Sequence, residues 1–281
     1  MGIKLGVNAY GKNAINLSKI IRHKDRHEIR QLSVNVALQG DFNAVHTVGD
    51  NTPVLPTDTM KNTVYALAKE HLVAAIEDFG LVLANHFLTN NPQVTSVQVE
   101  LTEYCWQRLA FDNKEHPHAF VNGGSEKHTA VVEQSRSRLT VTSGIKDLLV
   151  LKTTDSGFEN YIRDQYTILK ATSDRIFSTQ CEASWLYQPK QADFSALYND
   201  IRTCLLKTFA HHKSLSVQHT LYAMGEGVLK AFPMVEEISL KMPNKHHILF
   251  NLEQFGMDNK NEVFIATDEP YGYITGTIQR E

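Results

Sequence analysis

The stretch "QLSVNVAL" (residues 31–38) alternates large apolar side chains with polar or small ones. Successive residues of a strand point to opposite faces, so the large residues all lie on one face. They are Leu32, Val34, Val36 and Leu38. A strand with one apolar face is typical of an antiparallel sheet, whereas buried parallel strands are apolar throughout. This stretch therefore predicts an antiparallel sheet that is covered on one face.

Two helices are predicted to follow this strand and to provide that cover. The first occupies "LPTDTMKNTVYALAKEH" (residues 55–71), with Thr57 or Asp58 as its N-cap. The second is marked by apolar residues at helical spacing, which are Ile76, Phe79, Leu83 and Phe87. Strand alternation returns at residues 97–101 and continues in "HAFVN" (118–122) and "HTAVVEQSRSRLTVTS" (128–143). The glycines Gly123 and Gly124 between them predict a turn.

The second half of the chain repeats this order of elements. "GIKDLLVLKTT" (144–154) and "TQCEASWLYQ" (179–188) predict strands, and helical stripes cover residues 194–209 and 217–232. "VEEISLKM" (235–242) and "HHILFNLEQF" (246–255) predict further strands. Each half is thus strands, two helices and strands, which favours an α+β fold of antiparallel sheets with paired helices on one face. We expect two domains, residues 1–138 and 139–281.

Composition and charge exclude several classes of function. Charges of both signs are interspersed and the formal net charge is −3, so we expect no nucleic-acid partner. No apolar run is long enough to span a bilayer, so we expect no membrane partner. The chain shows neither a secretory signal nor a peroxisomal tripeptide, which predicts a cytoplasmic protein. Cys105, Cys181 and Cys204 are not in a CxxC spacing and are expected to be buried free thiols.

Thirteen histidines raise the possibility of a metal site, but their spacing does not favour one. His116 and His118 flank a proline in what is expected to be a polar loop, with no defined third ligand. The pairs at 211–212 and 246–247 are adjacent, and neighbours on a strand point to opposite faces. HExxH, GxGxxG and Walker motifs are absent from the sequence. We therefore expect neither a metal nor a nucleotide cofactor.

Three groups of polar residues are candidates for a site, although each also fits a solvated surface. In "MPNKHHILF" (242–250), Asn244 and His246 share one face of a strand where that face turns apolar. The helix start at Thr57 offers unpaired N–H groups and a positive dipole end to an anion. Lys12 follows a glycine near a strand edge. Taken alone, these residues leave strand-end, helix-cap and surface-lysine interpretations open.

Five sequence blocks taken together resemble the urate oxidase family, most closely its bacterial members, and they run in the same order and at similar spacings. They are "YGK" (10–12), "TDTMKNTVYA" (57–66), "IRDQYTILKATSDRI" (162–176) preceded by Phe158, "SVQHTLYAM" (216–224) and "PNKHH" (243–247). "DNKNEVF" (258–264) and "EPYGYITGTIQRE" (269–281) fit the same pattern. The resemblance covers essentially the whole chain.

The resemblance implies tandem T-fold domains that assemble as a homotetramer with a barrel-like tunnel and active sites at subunit interfaces. It implies oxidation of urate to 5-hydroxyisourate with release of H2O2. O2 is then the co-substrate, and neither a metal nor an organic cofactor takes part. This agrees with the two-halves interpretation and with the failed search for metal and nucleotide motifs.

The same resemblance assigns substrate-binding roles to matching positions. Phe158 would stack on the purine. Arg175, a planar fork of donors, and Gln218, a paired donor and acceptor, would clamp one edge of the ring. The backbone N–H groups of Val217 and Asp58 would add further contacts.

The resemblance also implies the catalytic groups. Lys12, Thr57 and His246 would form a proton relay, with the lysine as a base. Asn244 and Thr57 would hold O2 or water over the ring. One departure from the family pattern is Pro56, where a small residue is more common, and proline restricts the loop that leads to Thr57.

Two other functions compete with this assignment. A zinc-dependent, pterin-handling T-fold enzyme would hold its metal with Cys and His, for which the scattered cysteines offer no pattern. A non-catalytic purine-binding or structural relative would be expected to lack the relay, whereas Lys12, Thr57 and His246 are all present.

Overall fold

The computed structural model describes residues 2–188 and 192–281 of the chain. The chain divides into two compact units. The first unit comprises Met1–Gly144 and Leu186–Tyr198, and the second comprises Ile145–Trp185 and Asn199–Glu281. None of the helices in the described ranges is long and apolar enough to cross a membrane. The expected boundary of two domains between residues 138 and 139 stays a prediction.

The first unit contains strands, then helices, then strands, as predicted. Its elements are β1 (Tyr10–Arg22), β2 (His27–Gly40), α1 (Asn43–Val48), α2 (Thr57–His71), α3 (Ile76–Asn90), β3 (Val94–Phe111) and β4 (Lys114–Ser135). The strands lie in the order β1-β2-β3-β4, and each neighbouring pair is antiparallel. The predicted antiparallel α+β architecture is confirmed in this unit.

The core of the first unit is formed by the apolar faces that the sequence patterns predicted. The inward residues of β2 have no exposed surface: Leu32, Val34, Val36 and Leu38. Helix α3 contacts the sheet closely at Gly80, where an added Cβ would lie 2.8 Å from Cγ2 of Val132 and 2.9 Å from Cδ1 of Leu101. Burial of each large aliphatic or aromatic side chain contributes about 1.5–3 kcal/mol. Packing of α3 on β3 and β4 therefore forms the core of the first unit.

The second unit repeats the strand-helix-strand order. It holds most of β5 (Leu139–Lys152), β6 (Phe177–Tyr187) and α4 (Phe194–His211), whose remaining residues belong to the first unit. Its other elements are α5 (Val217–Ala231), β7 (Val235–Lys241), β8 (Asn244–Lys245), β9 (His247–Leu249), β10 (Phe264–Ala266) and β11 (Thr275–Gln279). The strands β5, β6, β7 and β11 follow in that order, β8 pairs with β6, and β9 and β10 form a separate hairpin.

Helix α5 packs on the sheet of the second unit through two glycines. A Cβ at Gly225 would lie 2.5 Å from Cδ1 of Ile278, and one at Gly276 would lie 2.9 Å from Cδ2 of Leu221. The close approach fixes the N-terminal end of α5, which carries two of the predicted site residues.

The predicted cap of α2 is wrong. Thr57 is the first helical residue, and the N-cap is Pro56, with φ −56° and ψ 138° and no side-chain capping bond. The carbonyl of Pro56 accepts the first helical hydrogen bond, from the N–H of Met60 at 3.2 Å. Because proline already fixes φ at this junction, the helix starts at Thr57 without help from the threonine hydroxyl.

The predicted turn at Gly123 and Gly124 is also wrong, since both lie inside β4. In the pairing with β3, Tyr104 faces Lys127 and Trp106 faces Asn122, so β4 carries extra residues between these two pairs. Gly124 has φ +104°, a conformation that glycine adopts without strain. The glycines thus form a β-bulge within one long strand. The same strand contains residues 116–118, which were expected to form a polar loop.

The predicted strand at 246–255 is mostly irregular. Only His247–Leu249 is strand, and Glu253–Phe255 forms a 3-10 turn that ends at Gly256 in the left-handed conformation. The three cysteines form no disulfide, but only Cys181 is fully buried, and burial raises its pKa to about 12. Cys105 and Cys204 are half-buried, so the expectation of three buried thiols is wrong for these two.

Candidate active site

The first unit brings together Lys12 on β1 and Thr57 and Asp58 at the start of α2. The pKa of Asp58 is lowered chiefly by its hydrogen bond with Lys61 at 2.5 Å, by the charge of that lysine and by Asn62 at 2.9 Å. The positive charge of Lys12 lowers it further. The ammonium of Lys12 is therefore close enough to the first turn of α2 to act on its charged group. We call Lys12, Thr57 and Asp58 the first-unit group.

The backbone around Lys12 is fixed by sterics on both sides. At Gly11, an added Cβ would lie 1.8 Å from the carbonyl oxygen of Val36, so only glycine fits there. After Lys12 the pairing with β2 shifts by one residue. Within this bulge Ala14 has φ +54° and its N–H donates to Oδ1 of Asn35 at 2.8 Å. A bulge redirects neighbouring side chains, and this one defines the direction of Lys12.

The start of α2 presents unpaired backbone donors. The first N–H groups of any helix lack an acceptor within the helix, and the helix dipole makes this end positive. Thr57 and Asp58 are the first two residues of α2. Their N–H groups are thus available to an anionic or carbonyl-bearing ligand.

In the second unit, Arg175 lies over the ring of Phe158. The guanidinium carbon is 5.3 Å from the ring centroid. Burial lowers the pKa of Arg175, and its Nε is buried without a hydrogen-bond partner in the described part of the chain. Phe158 is held by backbone hydrogen bonds of 2.8 and 3.1 Å exchanged with Thr172. A half-buried cation with a buried, unused Nε donor beside an aromatic ring can bind a flat anion.

The loop before α5 is joined to the segment that carries Phe158. The N–H of Gly157 donates to the carbonyl of Ser214 at 2.8 Å, and the N–H of Ser214 donates to the carbonyl of Asp155 at 2.9 Å. Ser216 caps α5 by accepting the N–H of His219 at 3.1 Å. These bonds hold the start of α5 beside the Phe158 segment.

Val217 and Gln218 are the first two residues of α5. The side chain of Val217 is buried, and Gln218 is exposed. Their backbone N–H groups belong to the unpaired first turn of the helix. The helix start therefore offers both main-chain donors and the Gln218 amide next to the Phe158 segment.

Asn244 and His246 are placed next to Arg175 by the pairing of β8 with β6. Asn244 pairs with Thr179, four residues after Arg175, and its N–H donates to the carbonyl of Gly272 at 2.8 Å. Nδ2 of Asn244 lies 3.5 Å from Nδ1 of His246. Burial, together with the positive charge of Arg175, lowers the pKa of His246. The imidazole is thus neutral at pH 7, and its unprotonated nitrogen is available as an acceptor.

The predicted site residues therefore fall into two groups, each built within one unit. The second-unit group comprises Phe158, Arg175, Val217, Gln218, Asn244 and His246. Sequence analysis did not single out Tyr161, whose ring stacks on that of Phe158 at 4.8 Å and 11°. Its hydroxyl donates to the carbonyl of Leu169 at 2.7 Å. The only local signal was an aromatic residue three positions after Phe158.

Among residues 2–188 and 192–281, no group of three or more His, Cys, Asp or Glu side chains is arranged to hold a metal ion. The rings of His116 and His118 lie edge to face, with centroids 4.6 Å apart.

Comparisons with known proteins cover almost the whole chain. The uricase family model matches residues 8–133 and 141–275. The uricase of Arthrobacter globiformis is 46% identical over 279 residues, which is 99% of this chain and 91% of that protein. The uricase of Oryctolagus cuniculus is 40% identical, over 97% of this chain and 93% of that protein.

The crystal structure of the Arthrobacter globiformis uricase has the same fold. It superposes with a TM-score of 0.95 and covers 100% of this chain and 96% of that one, at 46% sequence identity. The predicted fold class and family are thereby confirmed. On the agreement of sequence and structure along its full length, this chain belongs to the uricase family.

Proposed function

We propose that this chain oxidises urate with O2, giving 5-hydroxyisourate and H2O2. Overall, urate, O2 and water are converted to the two products. The purine loses two electrons, and O2 gains them with two protons. Water supplies the hydroxyl that the product carries. Family membership supports the reaction, and the observation that carries it for this chain is the pairing of Arg175 with Phe158.

Substrate binding follows from the chemistry of the second-unit group. Urate is a flat anion with carbonyl oxygens and ring N–H groups. The ring of Phe158 would stack on it, and the planar donor fork of Arg175 would bind one edge. The amide of Gln218 can donate and accept along the same edge, and the N–H of Val217 would add a main-chain donor.

The first-unit group supplies the base and the O2 or water position. Removal of a second proton makes urate a strong enough reductant to pass electrons to O2. Lys12 would take this proton through the hydroxyl of Thr57, and neutral His246 would accept and return protons. Asn244 and Thr57 would orient O2 and then water, while the N–H of Asp58 would bind the substrate.

We further propose that the first-unit group of one copy faces the second-unit group of another, in a homotetramer with a barrel-like tunnel. Support comes from the division of the site residues, since the relay needs both groups but each is built within its own unit. The half-buried cation Arg175 and the start of α2 would complete one another at such an interface.

We infer that neither a metal nor an organic cofactor takes part. The support is chemical, because doubly deprotonated urate can reduce O2 directly and the protein's tasks are then charge stabilisation, orientation and proton transfer. The zinc-dependent pterin alternative finds no support in the comparisons. The cytoplasmic location stays a prediction.

The proposed function is tested by following the absorbance of urate in aerated buffer that contains a metal chelator. We expect urate to disappear and H2O2 to accumulate in equal amounts, and Lys12→Met to abolish most of the rate. Folded protein that leaves urate intact would contradict the proposal. Loss of activity on chelation, restored by zinc, would instead favour a metal-dependent reaction.

A further inference from the structure

A hydrogen bond joins β1, which carries Lys12, to the segment that enters α2 at Thr57. The backbone N–H of Leu55 donates to the hydroxyl of Tyr10 at 3.0 Å. Tyr10 lies two residues before Lys12, so both side chains are on the same face of β1. Leu55 lies two residues before Thr57. The hydrogen bond therefore connects β1, which carries Lys12, to the segment that leads into α2 at Thr57.

Tyr10 is itself firmly held. Its ring packs edge to face on Phe42 with centroids 4.7 Å apart, and Phe42 is buried. Burial raises the pKa of Tyr10, although the bond with Leu55 acts in the opposite direction. The hydroxyl therefore stays protonated and neutral well above neutral pH, so its oxygen remains a fixed acceptor rather than a titrating group.

The position of Leu55 is transmitted to Thr57 through Pro56. The ring of Pro56 fixes φ at −56°, which removes one of the two soft torsions of the residue that links Leu55 to Thr57. A displacement of Leu55 would thus carry Thr57 with it. Pro56 thus stiffens the link from the Tyr10 bond to the relay.

Two other contacts tie α2 to β1 further along, and they offer matched controls. The hydroxyl of Tyr65 donates to the carbonyl of Asn16 at 3.2 Å. The ammonium of Lys19 donates to the carbonyls of residues 68 and 69 at 2.8 and 2.9 Å. Both contacts hold α2 on β1, but they lie away from the first turn of α2. The bond of Tyr10 instead lies next to that first turn, which contains Thr57.

We propose that Tyr10 is a positioning residue, whose hydroxyl holds the Leu55 segment so that the hydroxyl of Thr57 faces the amine of Lys12. This inference rests on the proposed function, because it assigns Tyr10 to the same proton relay. Tyr10 does not contact the reacting atoms. It acts on the rate of proton transfer through the geometry of Thr57.

The test compares Tyr10→Phe, which keeps the ring on Phe42 and removes only the hydroxyl, with Tyr65→Phe. A misplacement of about 1 Å costs up to 10²-fold in rate. We expect Tyr10→Phe to lower kcat about 10-fold to 100-fold with KM and the dissociation constant of a urate analogue unchanged. Tyr65→Phe should leave kcat unchanged. Thermal unfolding of both variants reports whether each remains folded.

A second comparison separates positioning from a general structural effect. In a Thr57→Ala background, Tyr10→Phe should cause no further loss of kcat, because the group that it positions is already absent. Losses that multiply in the double variant, or an unchanged kcat in Tyr10→Phe, would overturn the inference while wild-type turnover of urate leaves the proposed function intact. Failure of the wild-type protein to oxidise urate would overturn both.

Discussion

Nε2 of His128 lies 2.8 Å from Oε1 of Glu77, and both side chains are buried in the core of the first unit. Nδ1 of the same imidazole is 3.7 Å from Oε2 of Glu103, which in turn accepts from Arg30 at 3.0 Å. The ring of Tyr198 stacks on His128 at 3.6 Å. The hydroxyl of Ser143 also donates to Glu77. Two carboxylates thus enclose one imidazole, so the network is balanced in charge only when His128 is protonated.

This arrangement predicts how stability depends on pH. Burial acts to lower the pKa of His128, but its bonds with Glu103 and Glu77 raise it above the ordinary 6.5. The stability that protonated His128 contributes is therefore fully present below pH 6.5. It is lost as the pH rises through the higher pKa of His128 in the folded state. The pKa of Glu103 is lowered from 4.5: burial acts against this, but bonds from His128 and Arg30 outweigh it. The contribution of Glu103 to stability is lost as the pH falls through its lowered pKa in the folded state.

His128→Gln should lower the free energy of unfolding by about 3–5 kcal/mol at neutral pH, because it removes the positive charge that balances the buried carboxylate of Glu77. The unfolding temperature of the wild-type protein should fall from neutral to alkaline pH, and that of the variant should fall less. Scanning calorimetry across pH measures both. His86→Gln, on the same unit but outside the network, is the control. An equal alkaline decline in wild type and His128→Gln would contradict this account.

A second prediction concerns His246. Since the charge of Arg175 contributes to the lowered pKa of His246, Arg175→Gln should raise that pKa toward 6.5. Histidine hydrogen–deuterium exchange, resolved by mass spectrometry, reports the titration of each imidazole without need of turnover. The pKa of His27, which is lowered by burial and by other basic residues, should not change. An unchanged His246 titration would show that Arg175 does not act on this group.

Lys12→Met tests the base of the relay. Loss of a general base costs about 10²- to 10⁴-fold in rate, so kcat should fall by that order while the dissociation constant of a urate analogue stays the same. Lys19→Met is the matched control, since Lys19 lies on the same strand and donates only to carbonyls of α2. Equal losses of turnover and analogue binding in Lys12→Met would mark Lys12 as a binding or structural group instead.

Arg175→Ala should impair binding foremost. Truncation of a buried, hydrogen-bonding charge costs about 2–5 kcal/mol, which corresponds to a loss of analogue affinity of roughly 30-fold or more. Calorimetric titration with a non-oxidisable urate analogue measures it. Arg163→Ala is the control, because Arg163 lies 5.0 Å from the ring of Tyr161 in the same segment but is exposed. Similar affinity losses in the two variants would argue against a specific role for Arg175.

Local periodicity predicted much of the fold but not its irregular points. The alternation in β2 and the apolar stripe of α3 depend on residues close in sequence, and both were predicted correctly. The bulge at Gly124 was predicted as a turn, because glycine pairs occur in turns and in β-bulges. Only the pairing with the neighbouring strand distinguishes a bulge from a turn. The start of α2 was misplaced because Pro56, a residue without a side-chain acceptor, takes the cap position.

The site residues were proposed only through the combination of blocks along the chain, and their roles stay predictions. No local pattern joins Phe158 to Arg175, or Tyr10 to Leu55, because these contacts bridge segments far apart in sequence. The network at His128 was missed for another reason: sequence patterns assign charged residues to the surface, and Glu77 is fully buried within the apolar stripe of α3.

The central claim is that the two groups meet across copies in a site that needs no cofactor. Its most direct test is complementation between two impaired variants. Lys12→Met damages only the first-unit group and Arg175→Ala only the second. When both chains are co-expressed with different tags and the hybrid is purified, some sites should combine two intact groups. At a urate concentration well below the wild-type KM and in the presence of chelator, we predict that the hybrid oxidises urate much faster than either variant alone. A hybrid that forms but stays as inactive as its parents would contradict the account.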